Sequence, residues 1–207
     1  SLIIVLIIVI SDSYLQYFSG KNILGYPYDG IRLSGFFGKE KILGSFVSRI
    51  MPLLFALSCF YFKNSKINII FLMIILILSD IIIYLSGERV AFFLLFLSSI
   101  FIILSINRWK SIRLFSFAIS LLIISAITFL DNSVKDRMID STLSQTNILG
   151  DKVIPFSKSH AAHYDSAIKM IKNNFIFGVG PKMFRVECSN EIYYVEQGCS
   201  THPHNTY

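Results

Sequence analysis

Residues 63–113 read KNSKINIIFLMIILILSDIIIYLSGERVAFFLLFLSSIFIILSINRWKSIR, and this stretch decides the fold. Two apolar runs, Ile67 to Leu85 and Val90 to Ile106, are joined by Ser86-Gly87-Glu88-Arg89. They are bounded by Lys63-Asn64-Ser65-Lys66 and by Asn107-Arg108-Trp109-Lys110-Ser111-Ile112-Arg113. A bilayer core of about 30 Å needs roughly 20 mainly apolar residues in helix, so each run is a membrane-span candidate. Working outward, Phe46 to Phe62 and Leu114 to Leu130 are further spans, and Leu2 to Ile10 is the tail of another. These runs leave no polar helix faces to cover a soluble core. The expected fold is all-α: a polytopic transmembrane helix bundle over residues 1–130 (spans 2–10 in part, 46–62, 67–85, 90–106 and 114–130). Residues 131–207 form a large loop with short helices.

Composition agrees. Of 207 residues, 54% are hydrophobic and 15% charged, against about 25% charged in a typical soluble domain. The formal charge of +6 is mostly topology, because the loops at 63–66 and 107–113 hold five cations and no anion. Such loops mark the cytoplasmic side. By alternation, Ser11 to Ser45, the Ser86–Arg89 turn and everything from Asp131 onward lie on the opposite side. That last segment carries eight cations and eight anions, so it offers no basic face and no nucleic-acid partner is expected. The chain begins inside an apolar run and stops after a His-rich stretch, and it reads as a fragment lacking both ends.

The segment from Asp131 to Tyr207 is too polar to span and too long for an ordinary connection, which makes it the expected functional loop. Ala162, Ala167, Ile168, Met170 and Ile171 give a helical spacing from Ser159, a plausible N-cap, to Asn174; Gly178-Val179-Gly180-Pro181 stops it. Cys188 and Cys199 share this loop and form the disulfide candidate, with two free thiols as the alternative. Cys59 lies in a span. A zinc site of Cys199, His202 and His204 matches no standard spacing, so no metal is expected.

Ionisable groups collect near the loop-bearing end: Arg32, Arg49, Asp80, Glu88, Arg89 and Arg137. Charges at membrane depth are costly unless paired or wet, which makes each a functional candidate. Arg49 is close enough to its helix end to snorkel, and Asp80 and Arg89 flank a turn across which they can neutralise one another. Several Arg on one side suit an anionic phosphate at this depth, since guanidinium is a planar fork of donors that stays charged. Of the four His, His160 and His163 are expected to be solvated. Pro203 fixes the backbone between His202 and His204, and an unperturbed pKa near 6.5 makes His204 a usable general base.

Five quoted stretches now fall in order: Arg32-Leu33-Ser34-Gly35-Phe36-Phe37-Gly38, Ile42-Leu43-Gly44-Ser45 with Arg49-Ile50-Met51-Pro52, Ser86-Gly87-Glu88-Arg89-Val90-Ala91-Phe92, Phe177-Gly178-Val179-Gly180-Pro181, and His202-Pro203-His204-Asn205. In that order, with the large loop last, the chain resembles the O-antigen ligase and polymerase family of bacterial polytopic inner-membrane proteins. The resemblance implies a membrane glycosyltransferase that moves a glycan from undecaprenyl diphosphate to an acceptor sugar hydroxyl on the periplasmic face, without cofactor or metal. His204 would deprotonate the acceptor, Arg32, Arg89 and Arg137 would hold the diphosphate, and Arg49, Glu88, His202 and Asn205 would support them. Implied partners are the undecaprenyl-diphosphate-linked glycan, a growing glycan or lipid A core as acceptor, membrane lipid and a chain-length regulator. The Glu88-Arg89 turn and the His-Pro-His-Asn form look closer to the polymerase branch. The chain departs from that branch at Gly38-Lys39-Glu40, where a cation replaces an Asp. The alternative reading is a transporter of a polysaccharide or an anionic lipid-linked substrate.

Overall fold

A computed structural model describes residues 2–62, 65–146 and 158–200. The chain divides into two compact units, Ser1–Ile139 and Asp140–Tyr207. Among the described residues there is no strand, only an isolated bridge between Lys21 and Pro27.

The first unit is a helix bundle. Its elements are α1 (Leu2–Ser19), α2 (Leu43–Tyr61), α3 (Lys66–Leu85), α4 (Arg89–Ser105), α5 (Lys110–Leu130) and the single turn α6 (Asn132–Lys135), which runs into a π turn at Asp136–Asp140. Four of them, α1, α2, α3 and α5, are long and apolar enough to cross a membrane, with mean hydropathies of 1.8, 1.6, 2.6 and 2.1. At 17 residues α4 is shorter but apolar throughout, and Phe93, Leu97, Phe101 and Leu104 form an exposed stripe along one face. The chain is a multi-pass membrane protein, and its apolar core also holds a set of buried polar side chains. Ser58, Ser79, Ser99, Ser116 and Ser120 are buried, and Ser58 and Ser99 donate to carbonyls one turn back on their own helices. Small hydroxyl residues let membrane helices approach closely.

Three boundaries differ from those expected. The helix expected to end at Ile10 continues to Ser19, because Asp12, Ser13 and Gln16 all face protein and are fully buried. The second span starts at Leu43 rather than Phe46, where its first amides find an acceptor outside the helix. The last starts at Lys110 rather than Leu114, which brings Arg113 inside the helix.

That last shift corrects the pairing expected for Asp80. Its partner is Arg113, not Arg89. Two guanidinium N–H groups of Arg113 donate to the Asp80 carboxylate at 2.9 and 3.1 Å, and both side chains are fully buried. Ser120 donates to Asp80 Oδ2 at 2.9 Å, and Arg113 also donates to Ser99 Oγ. One polar cluster thus ties α3, α4 and α5. A bidentate pair supported by further hydrogen bonds is the form in which charge survives in a low dielectric.

The second unit holds α7 (Ser141–Thr146), α8 (Lys158–Asn173) and the turn α9 (Phe184–Glu187). Met170 of α8 packs with Phe184, Cys188 and Tyr193. Ser166 Oγ donates to the Tyr193 carbonyl at 2.8 Å, and Asn174 Nδ2 donates to the Tyr193 hydroxyl at 2.9 Å. Cys188 and Cys199 are joined by a disulfide with a Cα–Cα distance of 5.2 Å.

Candidate functional site

The helices alternate in direction, so the end of α1, the start of α2, the α3–α4 turn and the end of α5 share one end of the bundle. The loop of residues 20–41 is fastened there by side chains of α1. Gln16 Oε1 accepts from the amides of Ser34 at 3.1 Å and Gly35 at 2.7 Å, while its amide donates to the Tyr26 carbonyl at 3.1 Å. Asp12 accepts from the Ile23 amide at 2.9 Å and from Asn22 Nδ2 at 3.3 Å. Further along, the Leu33 amide donates to the Leu85 carbonyl at 3.1 Å, which docks the loop on the end of α3. None of Asp12, Gln16 and Asn22 stands out in the sequence as functional. The only signal was the i, i+4 spacing of Asp12 and Gln16, which continues the helical period of α1 past its apolar run.

The α3–α4 turn is the centre of the site. Among the described residues Glu88 enters no ion pair. Its carboxylate accepts from the amides of Gly44 at 2.7 Å and Ser45 at 3.1 Å and from the Ser45 hydroxyl. It thereby caps α2 from another part of the chain, where a carboxylate also complements the helix dipole. The approach demands glycine at position 44, since a Cβ there would lie 2.2 Å from Ser86 Oγ.

Gly87 has φ +69°, and a Cβ on it would meet Arg32 Cγ at 2.9 Å and Arg137 Cγ at 3.5 Å. The two arginine stems therefore lie against Gly87. Arg32 Nε donates to the Ser86 carbonyl at 3.2 Å and its Nη2 to the Lys41 carbonyl at 2.8 Å. Arg137 Nε donates to the Gly87 carbonyl at 3.3 Å. Burial and the Arg32 charge push the Arg137 guanidinium below its ordinary pKa. Arg89 opens α4 one residue beyond Glu88, and the Arg137 charge acts on it.

The structure thus brings Arg32, Arg89 and Arg137 together from three separate segments. The two ion pairs among the described residues, Lys41–Asp29 and Arg113–Asp80, involve neither Arg32 nor Arg137. Among the described residues the hydrogen-bond partners of Arg32 and Arg137 are main-chain carbonyls, which leave both guanidinium charges without a counter-ion there. Such a cluster can hold a multiply charged anion through forked hydrogen bonds. A cleft of about 470 Å³ opens on the same unit, lined by Tyr17, Ile127, Leu130, Asp131, Asn132 and Ser133. Ser133 Oγ donates to the Gly30 carbonyl, two residues before Arg32.

Other expected site residues lie elsewhere. Arg49 is exposed on α2, apart from the turn. His160 is exposed, but His163, expected to be solvated, is buried on α8 at 7% exposure. With its sulfur in the bridge, Cys199 has no thiolate to offer a metal. His202, His204 and Asn205 lie outside the described residues. Sequence comparison adds one result: a family model described as O-antigen ligase matches residues 71–207, a stretch that holds Arg89, Arg137 and both bridged cysteines. No curated protein and no solved structure matches the chain.

Proposed function

Since the chain belongs to the O-antigen ligase family of membrane glycosyltransferases, we propose that it transfers a glycan from undecaprenyl diphosphate to an acceptor sugar hydroxyl at the periplasmic face of the bacterial inner membrane. The observation that carries this reading is the convergence of Arg32, Arg89 and Arg137 on the Ser86–Gly87 turn, with carbonyls as the partners of Arg32 and Arg137. In the proposed step the acceptor hydroxyl gives its proton to an imidazole nitrogen of His204. The freed oxygen bonds to the anomeric carbon of the donor, and the bond from that carbon to the diphosphate oxygen breaks. Undecaprenyl diphosphate leaves with the bonding electron pair. Proton removal by a group of pKa near the working pH and fixed positive charge where the leaving group gains negative charge are the two contributions required of the protein. Side chains fill both roles, so the step as written calls for no metal.

The Cys188–Cys199 disulfide supports the periplasmic placement, because such bridges persist in oxidising compartments. Growth of a polymer rather than ligation to a lipid A core is favoured by the Glu88-Arg89 turn and the His-Pro-His-Asn form. A transporter reading fits less well: the one intramembrane ion pair among the described residues is closed and dry rather than lining a path.

The test is made in the full-length protein. His204→Ala should abolish long glycan on a gel while leaving the protein in the membrane, and normal banding would remove His204 from catalysis. Replacing Arg32, Arg89 or Arg137 by Lys keeps the charge and removes the fork. Each should lower the transfer rate, and full activity in all three would refute the diphosphate clamp.

A further inference from the structure

Beyond the Arg-bearing turn, the most unusual surface belongs to the second unit. Phe175, Ile176 and Phe177 follow α8 and are 83%, 82% and 91% exposed. They are held in an ordered turn: the Asn174 amide donates to the Met170 carbonyl at 3.0 Å and the Gly178 amide to the Asn174 carbonyl at 2.8 Å. Ile168 and Ile171 stand seven and four residues before Phe175, at helical spacing on α8, and both are exposed, so they extend the apolar stripe along that helix. The unit's own core lies on other positions, with Met170 packed against Phe184, Cys188 and Tyr193. These five apolar residues are therefore not needed to close that core. Contiguous apolar surface of this kind marks a contact with another phase or molecule.

The charges around the tip indicate which. From Lys169 to Val186 the chain carries four cations, Lys169, Lys172, Lys182 and Arg185, and no anion. All four are exposed. An exposed apolar tip flanked in sequence on both sides by exposed cations is complementary to a bilayer surface, where rings and aliphatic chains enter below the head groups and cations meet anionic phosphates. The unit is also covalently joined to membrane-spanning helices, so a lipid surface is always at high effective concentration.

We propose that the Phe175-Ile176-Phe177 tip inserts into the head-group region of the bilayer, with Lys172, Lys182 and Arg185 on anionic lipid phosphates. This contact rests on the membrane embedding of the chain and not on glycan transfer, and activity is not its readout. The chain has a single Trp, Trp109, which permits an intrinsic reporter. The full chain carrying Phe177→Trp in a Trp109→Phe background is placed in nanodiscs of phosphatidylethanolamine and phosphatidylglycerol. Insertion gives blue-shifted emission, loss of most of it when the lipids are brominated near the carboxyl end of their chains, and little quenching by iodide. Strong iodide quenching without bromine quenching puts the tip in water and overturns the proposal. Quenching by neither means that protein covers the tip, and this also overturns it. Ile176→Trp in the same background is read if the first variant does not fold. Replacing phosphatidylglycerol by phosphatidylcholine should weaken bromine quenching, and no change would refute the role of the cations.

Discussion

Replacing Asp80 by Asn keeps the shape of the side chain and removes its charge, leaving the Arg113 guanidinium fully buried without a counter-ion. The magnitude follows from what is lost. Of the two bonds from Arg113, at 2.9 and 3.1 Å, one loses its acceptor to an amide NH2 and the other falls on an oxygen without the carboxylate charge. Removing one partner of a buried pair costs about 3–5 kcal/mol, because the surviving charge has no water to return to. That is on the order of 10²–10⁴ in the folding equilibrium constant. Arg113→Met should cost a similar amount. The double variant Asp80→Leu with Arg113→Met removes both charges and should cost far less than the sum, since an apolar pair of similar volume is often neutral. The measurement is a double-mutant cycle on the full chain in bicelles, with unfolding read by trapping the separated helices through bulky tags. A single-variant loss below about 1 kcal/mol, or a double variant equal to the sum of the singles, would refute the reasoning. The pair also sets the height of α5 against α3, and so of Arg137 against Gly87. Transfer activity should therefore fall in the singles and recover in the double.

Gly44→Ala should destabilise the bundle by about 1–3 kcal/mol, the usual cost of overpacking, because its Cβ would sit 2.2 Å from Ser86 Oγ; thermal unfolding in detergent measures it. Glu88→Ala removes the carboxylate that caps α2 and should cost about 0.5–2 kcal/mol, with faster hydrogen exchange at the amides of Gly44 and Ser45 than elsewhere in α2. Breaking the bridge with Cys188→Ser and Cys199→Ser should cost the second unit about 2–3 kcal/mol for a loop of 11 residues, seen as faster proteolysis confined to that unit; an unchanged cleavage rate would show that the bridge does not hold it together.

Much of the bundle was legible because an apolar run of span length has few alternatives in a chain this poor in charge. What escaped was register. Asp80 was matched with Arg89 because the two flank one turn, yet a carboxylate in low dielectric is satisfied by whatever donor reaches it. The relative height of α3 and α5 that brings Arg113 there is written in no local pattern. Arg113 itself read as a loop cation because it adjoins an apolar run, although the helix begins at Lys110. The extension of α1 was hidden for the converse reason: Asp12 and Gln16 look like loop residues until a loop folds back to give them partners. The arginines of the site could be singled out by type and by side of the membrane. Their meeting at Gly87 depended on two glycines, at 44 and 87, whose reason is the close approach of other chain segments.

The order in which the chain emerges from the ribosome has a consequence for this site. Arg32 precedes α2, Arg89 opens α4, and Arg137 arrives only after α5 has been threaded into the bilayer. A nascent chain that ends between residues 88 and 137 has membrane helices and the carboxylate that caps α2 but cannot assemble its cluster of positive charge. During biogenesis the bundle is therefore largely threaded before these charges meet, and the cluster forms in a single late step of insertion.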